Sequence, residues 1–109
     1  MSLQIRAKDI TLNDATKAHI QTAVDTFSKF NLEITKVNVV VEALKKGVEI
    51  EFDIHVAHAQ PVVIKQADDV LDAAIDLAVD RAATALRRLH GKMVDKHAPS
   101  IKDMPTIDA

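Results

Sequence analysis

The chain has 109 residues, 48% of them hydrophobic and 28% charged, with a formal net charge of −2. That is the size and composition of one ordinary globular domain. With no cysteine, a disulfide framework, a Cys-ligated zinc site, an iron–sulfur cluster and thiol catalysis are excluded. No apolar run approaches the ~20 residues of a membrane-spanning helix, and the opening Met-Ser-Leu-Gln-Ile-Arg lacks the apolar core of a secretory signal. A soluble, cytoplasmic single domain is expected.

Residues 3–8 (LQIRAK) alternate apolar and polar, which predicts a short strand with Leu3, Ile5 and Ala7 on one face and Gln4, Arg6 and Lys8 on the other. Residues 13–30 read as one amphipathic helix. Asn13 is a good N-cap, and Thr16, Ile20, Ala23, Val24, Phe27 and Phe30 form the apolar stripe. Asn31 can end it in the left-handed conformation. Residues 34–42 are rich in β-branched side chains, with Val37, Val39 and Val41 on one face. Lys45-Lys46-Gly47 is a turn with glycine available for positive φ. Residues 48–57 give the cleanest alternation: Val48, Ile50, Phe52, Ile54 and Val56 on one side, Glu49, Glu51, Asp53 and His55 on the other. These two segments predict a hairpin.

His58-Ala59-Gln60-Pro61 is a second turn, and residues 62–66 a fourth strand. Asp68 or Asp69 then caps a helix expected from residue 69 to about residue 95, about 40 Å long at 1.5 Å per residue. Its apolar stripe is Leu71, Ala74, Ile75, Ala78, Ala82, Leu86, Leu89 and Met93. Gly91 costs about 1 kcal/mol relative to Ala, which marks a place for the helix to kink or fray. Residues 98–109 carry two prolines and no period and read as a flexible C-terminal tail behind a domain of residues 1–97. The order β-α-β-β-β-α predicts an α+β two-layer sandwich: a four-stranded sheet with two helices on one face and the first two strands parallel.

The net charge conceals a sharp asymmetry. Residues 68–80 hold Asp68, Asp69, Asp72, Asp76 and Asp80 and no base, whereas residues 81–97 hold Arg81, Arg87, Arg88, Lys92 and Lys96 against Asp95 alone. One segment thus turns from −5 to +4. At 100° per residue, Arg81, Arg88 and Lys92 fall within about 40° of one another, with Lys96 close by. They flank the apolar stripe, away from Asp72 and Asp76, on the rim where the first helix is expected to pack; Lys17 and Lys29 could extend it. Such a row suits the phosphates of a folded RNA. Bases also favour a helix C-terminus for dipole and solubility reasons, so charge alone leaves the two readings open. The only aromatics, Phe27, Phe30 and Phe52, fall on apolar faces, so no exposed platform for base stacking is expected.

Catalytic chemistry is not evident. His55 and His58 are three apart on a strand and its turn, pointing to opposite faces. Asp72, Asp76 and Asp80 share a helix face without a second set of oxygen ligands, and a solvated acidic helix start accounts for them better than Mg²⁺ or Ca²⁺. There is no glycine-rich phosphate loop. No catalytic residue, metal, cofactor or small-molecule substrate is expected. A rival reading is a protein–protein module that docks through an acidic sheet face of Glu49, Glu51 and Asp53.

Two stretches resemble a known family. The opening LQIRAKDITLNDATKAHI and the helix DAAIDLAVDRAATALRRLHGK, residues 72–92, are similar to the ribosome hibernation-promoting factors and ribosome-associated translation inhibitors of bacteria, in their short form, the sigma-54 modulation protein type. The likeness covers about residues 1–97. It implies a domain that docks in the channel between head and body of the small ribosomal subunit, contacts rRNA through basic helix residues, and blocks the mRNA and tRNA sites of idle ribosomes. It further implies a role in stress or stationary phase and, with no membrane partner, a monomer. By position, the resemblance puts Arg81, Arg88 and Lys92 where the family carries helix bases, with Arg87 and His90 as further candidates; Lys17 occupies a basic position of the first helix, and Arg6 and Lys8 add contacts from the first strand. The family's Asp-Met-Tyr string before Ala-Ala-Ile-Asp is Val70-Leu71-Asp72 here, and Thr84 and Leu89 stand where bases are common. The string Ala98-Pro99-Ser100-Ile101-Lys102-Asp103 is similar to the tailed inhibitor subtype, whose tail is thought to disfavour ribosome dimers.

Overall fold

The computed structural model describes residues 2–97, with side chains described as far as Met93. Residues 98–109, the expected tail, lie outside the described residues, as does the side chain of Lys96. The elements are β1 (Ser2–Lys8), α1 (Asp14–Asp25), a 3₁₀ segment (Thr26–Phe30), β2 (Ile34–Leu44), β3 (Gly47–Val56), β4 (Val62–Asp68) and α2 (Leu71–His97). The sheet order is β1-β2-β3-β4. β1 pairs parallel with β2, and the other pairs are antiparallel. This is the α+β sandwich the alternation and element order predict.

The strands alternate because one face is dry. Val37, Val39 and Val41 of β2 and Ile50, Phe52 and Ile54 of β3 are all fully buried, beneath Ile20, Val24 and Phe27 from the first helical stretch and Ile75 and Leu86 from α2. The Phe27 and Phe52 rings meet edge to face, with centroids 5.9 Å apart, and join the layers. Ala74, Ala78 and Ala82 are also fully buried, so the backbone of α2 lies close on β3 and β4. The register sends the even-numbered positions of β1, those of β2 from Lys36 onward (Gln4, Arg6, Lys36 and Asn38 among them) and Glu49, Glu51, Asp53 and His55 to the opposite, open face, while Ile34, before a bulge in β2, stays in the core.

The first helix departs from expectation. Asn13 caps it as predicted, its Oδ1 accepting the Thr16 N–H at 2.8 Å. The α-helix ends at Asp25, however, and the next five residues wind as 3₁₀. The hydroxyls of Thr26 and Ser28 donate back to the carbonyls of Ala23 and Asp25, at 2.6 and 3.0 Å, and compete with the regular ladder. Asn31 closes the segment with φ 57°. Phe27 stays fully buried, while Phe30 is left half-buried at the margin. At the start of α2, Asp68 acts one step early: its Oδ1 accepts the Val70 N–H at 3.2 Å, and the Val70 carbonyl receives the first helical bond, from Ala74. The helix runs through Gly91 without a break to His97.

α1 is tied to α2 through one histidine. His19 Nδ1 lies 3.2 Å from Asp72 Oδ1, and Nε2 lies 2.9 Å from Asp76 Oδ1. Both ring nitrogens face acceptors, so both must carry a proton, which the imidazolium alone provides. Burial acts to lower the His19 pKa, but hydrogen bonds to Asp76 and Asp72, together with their charges, override it and hold the pKa above its ordinary value.

Two measurements check these local features. Gly47 sits at φ 103°, and a Cβ there would meet the Asp68 carbonyl oxygen at 2.4 Å, so Gly47→Ala is expected to cost at least about 1 kcal/mol and to lower Tm by about 4–8 °C or more. A Tm unchanged within a degree would contradict this. A folded-state pKa above the unfolded one means that the His19 contribution is fully present below the unfolded value and is lost as pH rises through the folded value. The Tm advantage of the native chain over His19→Gln should therefore be largest below the ordinary histidine pKa of 6.5 and shrink as pH rises above it. An advantage that is constant or grows with pH would refute the imidazolium tie.

Candidate nucleic-acid interface

The buried stripe of α2 fixes which way its two flanks point. The flank bearing Asp72 and Asp76 faces α1, where both carboxylates are taken up by His19. The flank bearing Arg81 faces β4, where Nη1 of Arg81 donates to the Lys65 carbonyl and to Gln66 Oε1. The basic rim therefore lies beyond the sheet's β4 edge, and the expectation that it adjoins the first helix is not met. Toward the start of α2 the interhelical side is occupied by Asp72 and Asp76 and, of the candidate bases, only Arg87 faces the first helical stretch.

On this β4 flank, Ile64, Asp80, Arg81, Thr84, Ala85 and Arg88 line a groove of about 390 Å³. Arg81 and Arg88 are both exposed. Lys92, also exposed, lies one helical turn beyond Arg88 and on the same flank by helix phase. Leu77 extends the flank toward the helix start and is 43% exposed. Among the described residues no Lys or Arg side chain comes within 4.0 Å of a carboxylate; the three close pairs all involve histidine. The cations of this flank are thus not neutralised by direct contact.

The other candidate residues are elsewhere. Arg87 points to the 3₁₀ segment, with its guanidinium 5.7 Å from the centroid of Phe30, which Lys29 approaches at 5.5 Å. Lys17 is exposed on α1 and, two residues before His19, falls on the flank away from α2. Arg6 and Lys8 stand on β1, three strands from β4 and on the open face of the sheet. A single RNA surface on the α2 flank does not reach them. The structure brings together Arg81, Arg88 and Lys92 and separates Arg87, Lys17, Arg6 and Lys8 from them.

The open sheet face has an acidic centre bordered by bases. Glu42, Glu49, Glu51 and Asp53 lie on the two central strands, with Arg6, Lys8 and Lys36 toward β1 and Lys65 on β4. A hollow of about 290 Å³ there is lined in part by Arg6, Lys36, Asn38, Glu51 and Asp53. His55 Nε2 lies 3.2 Å from Asp53 Oδ2. Among the described residues, no group of three or more His, Asp or Glu side chains is placed to hold a metal ion, and no helix is long and apolar enough to cross a membrane.

Sequence reasoning missed His19 and Gln66. The contacts of His19 lie 53 and 57 residues away, which no local pattern records. Gln66 did leave a signal, as a polar residue at an inward position of a strand.

Residues 3–94 match the family described as sigma 54 modulation protein / S30EA ribosomal protein. No curated protein sequence matches the chain. The fold is similar to that of the N-terminal domain of Thermus thermophilus Protein Y, with a TM-score of 0.73 at 23% identity over 82% of this chain and 99% of that one. It is also similar to a ribosomal subunit interface protein from Coxiella burnetii, with a TM-score of 0.74 at 11% identity over 84% of this chain and 99% of that one. The chain belongs to the sigma 54 modulation protein / S30EA ribosomal protein family, whose members are ribosome-associated.

Proposed function

We propose that the protein is a hibernation factor that binds rRNA in the decoding channel of the small ribosomal subunit and inhibits translation by occupying the mRNA and tRNA sites. The observation that carries this reading is the α2 flank beside β4: Arg81, Arg88 and Lys92 lie in one row, with no carboxylate within 4.0 Å among the described residues. Phosphates are met by such a row without base stacking, in keeping with the absence of Trp and Tyr. The mechanism is occlusion by a folded domain in the cytoplasm, acting as a monomer without cofactor or small-molecule substrate, in cells under stress or in stationary phase.

Because Arg81 also ties α2 to β4, the cleaner variant is the pair Arg88→Glu and Lys92→Glu, whose side chains make no hydrogen bond among the described residues. With three phosphate contacts, affinity for purified ribosomes should fall about 20- to 40-fold between 50 and 200 mM salt. The double variant should lose sedimentation with the small subunit at physiological salt while its circular dichroism and Tm stay native. Retained sedimentation would remove these residues from the site. Binding that survives ribonuclease treatment and has no salt dependence would favour instead a protein partner on the acidic sheet face.

A further inference from the structure

Arg81 is exposed, yet its guanidinium is held on one side. Nη1 donates to the Lys65 carbonyl and, at 3.1 Å, to Gln66 Oε1. Gln66 is half-buried on the α2-facing side of β4, opposite Ile50 in the sheet. Its amide nitrogen donates to the Ala67 carbonyl at 3.0 Å. An amide has one oxygen and one nitrogen, so the bond to Ala67 turns the oxygen toward Arg81. The chain of contacts from the strand backbone through Gln66 to the arginine therefore has one direction.

A guanidinium carries five N–H donors in a rigid plane. The strand takes up the two on Nη1. The edge formed by Nε and Nη2 is left, and it has the fork geometry that meets a phosphate with two parallel bonds. No carboxylate lies within 4.0 Å to compete for it among the described residues. A long cationic side chain normally loses rotamer freedom when it binds; this one has lost much of it already.

We infer that Gln66 is a positioning residue for RNA binding: it holds the Arg81 guanidinium so that its free edge faces a phosphate in the groove between α2 and β4. The inference rests on the RNA-binding reading of that flank and names the residue that prepares it. Gln66 itself need not touch RNA.

The test uses the full chain and purified small ribosomal subunits, with affinity measured at several salt concentrations. Gln66→Ala is expected to weaken binding about 2- to 10-fold while leaving the slope of log affinity against log salt unchanged, since every phosphate contact remains. Arg81→Ala should lower that slope by about 0.7–0.9. In the Arg81→Ala background, Gln66→Ala should have no further effect on affinity, whereas a general structural role would persist there and lower Tm in step. Gln66→Ala binding like the native chain, or losing as much with Arg81 absent, overturns the inference. Arg88→Glu with Lys92→Glu serves as the control. If it binds like the native chain, the flank reading falls and the positioning role with it. If it loses binding and Gln66→Ala does not, the positioning role alone is wrong.

Discussion

Seating α2 on the sheet through Ala74, Ala78 and Ala82 is the constraint from which the rest of the molecule follows. Three methyl groups, all fully buried, leave the helix one way to lie against β3 and β4. A larger residue at any of them would lift or turn the helix, because close-packed interiors do not absorb added volume. Once that face is fixed, a 100° period sends each remaining residue to a definite side. Asp72 and Asp76 go to α1 and Arg81 goes to β4. Burial of apolar surface, which carries no charge, thus sorts the charges of the molecule.

That sorting explains how a chain of net charge −2 can offer a cationic edge. Asp72 and Asp76 are occupied by His19 across the helix interface, on the flank away from Arg81 and Arg88. Asp80 alone shares the groove with Arg81 and Arg88, and it stays beyond 4.0 Å of both. Glu42, Glu49, Glu51 and Asp53 are on the sheet's far face, behind the core, and Asp68, at the end of β4, caps the start of α2. Local potentials, not net charge, decide what a surface attracts. The rival reading of the acidic face as a docking surface meets the complication that Arg6, Lys36 and Lys65 border it.

Much of the fold could be read from the sequence because its determinants are local. Period-two alternation in residues 48–56 and the valines of residues 37–41 specify one dry face, and Gly47 and Asn31 adopt the positive φ that their positions require. The 3₁₀ ending of the first helix was less legible, since it depends on Thr26 and Ser28 turning their hydroxyls back to the chain. The candidate site was legible only in part. Helix phase put Arg81, Arg88 and Lys92 on one flank, but which neighbour that flank faces is a question of tertiary packing, and the expected neighbour was the wrong one. The same limit scattered Arg87, Lys17, Arg6 and Lys8, which share a sign and not a surface. What Arg81 does with its donors could not be read at all, because its partners sit on a strand 15 and 16 residues away.

The most direct test of this account is a cryo-EM reconstruction of the chain bound to the small ribosomal subunit. The account predicts that the α2 flank beside β4 faces rRNA, with the side chains of Arg88 and Lys92 within hydrogen-bonding distance of phosphate oxygens and the open sheet face turned away. A complex in which the open sheet face or the α1 side meets the rRNA, with Arg88 and Lys92 in solvent, would contradict it.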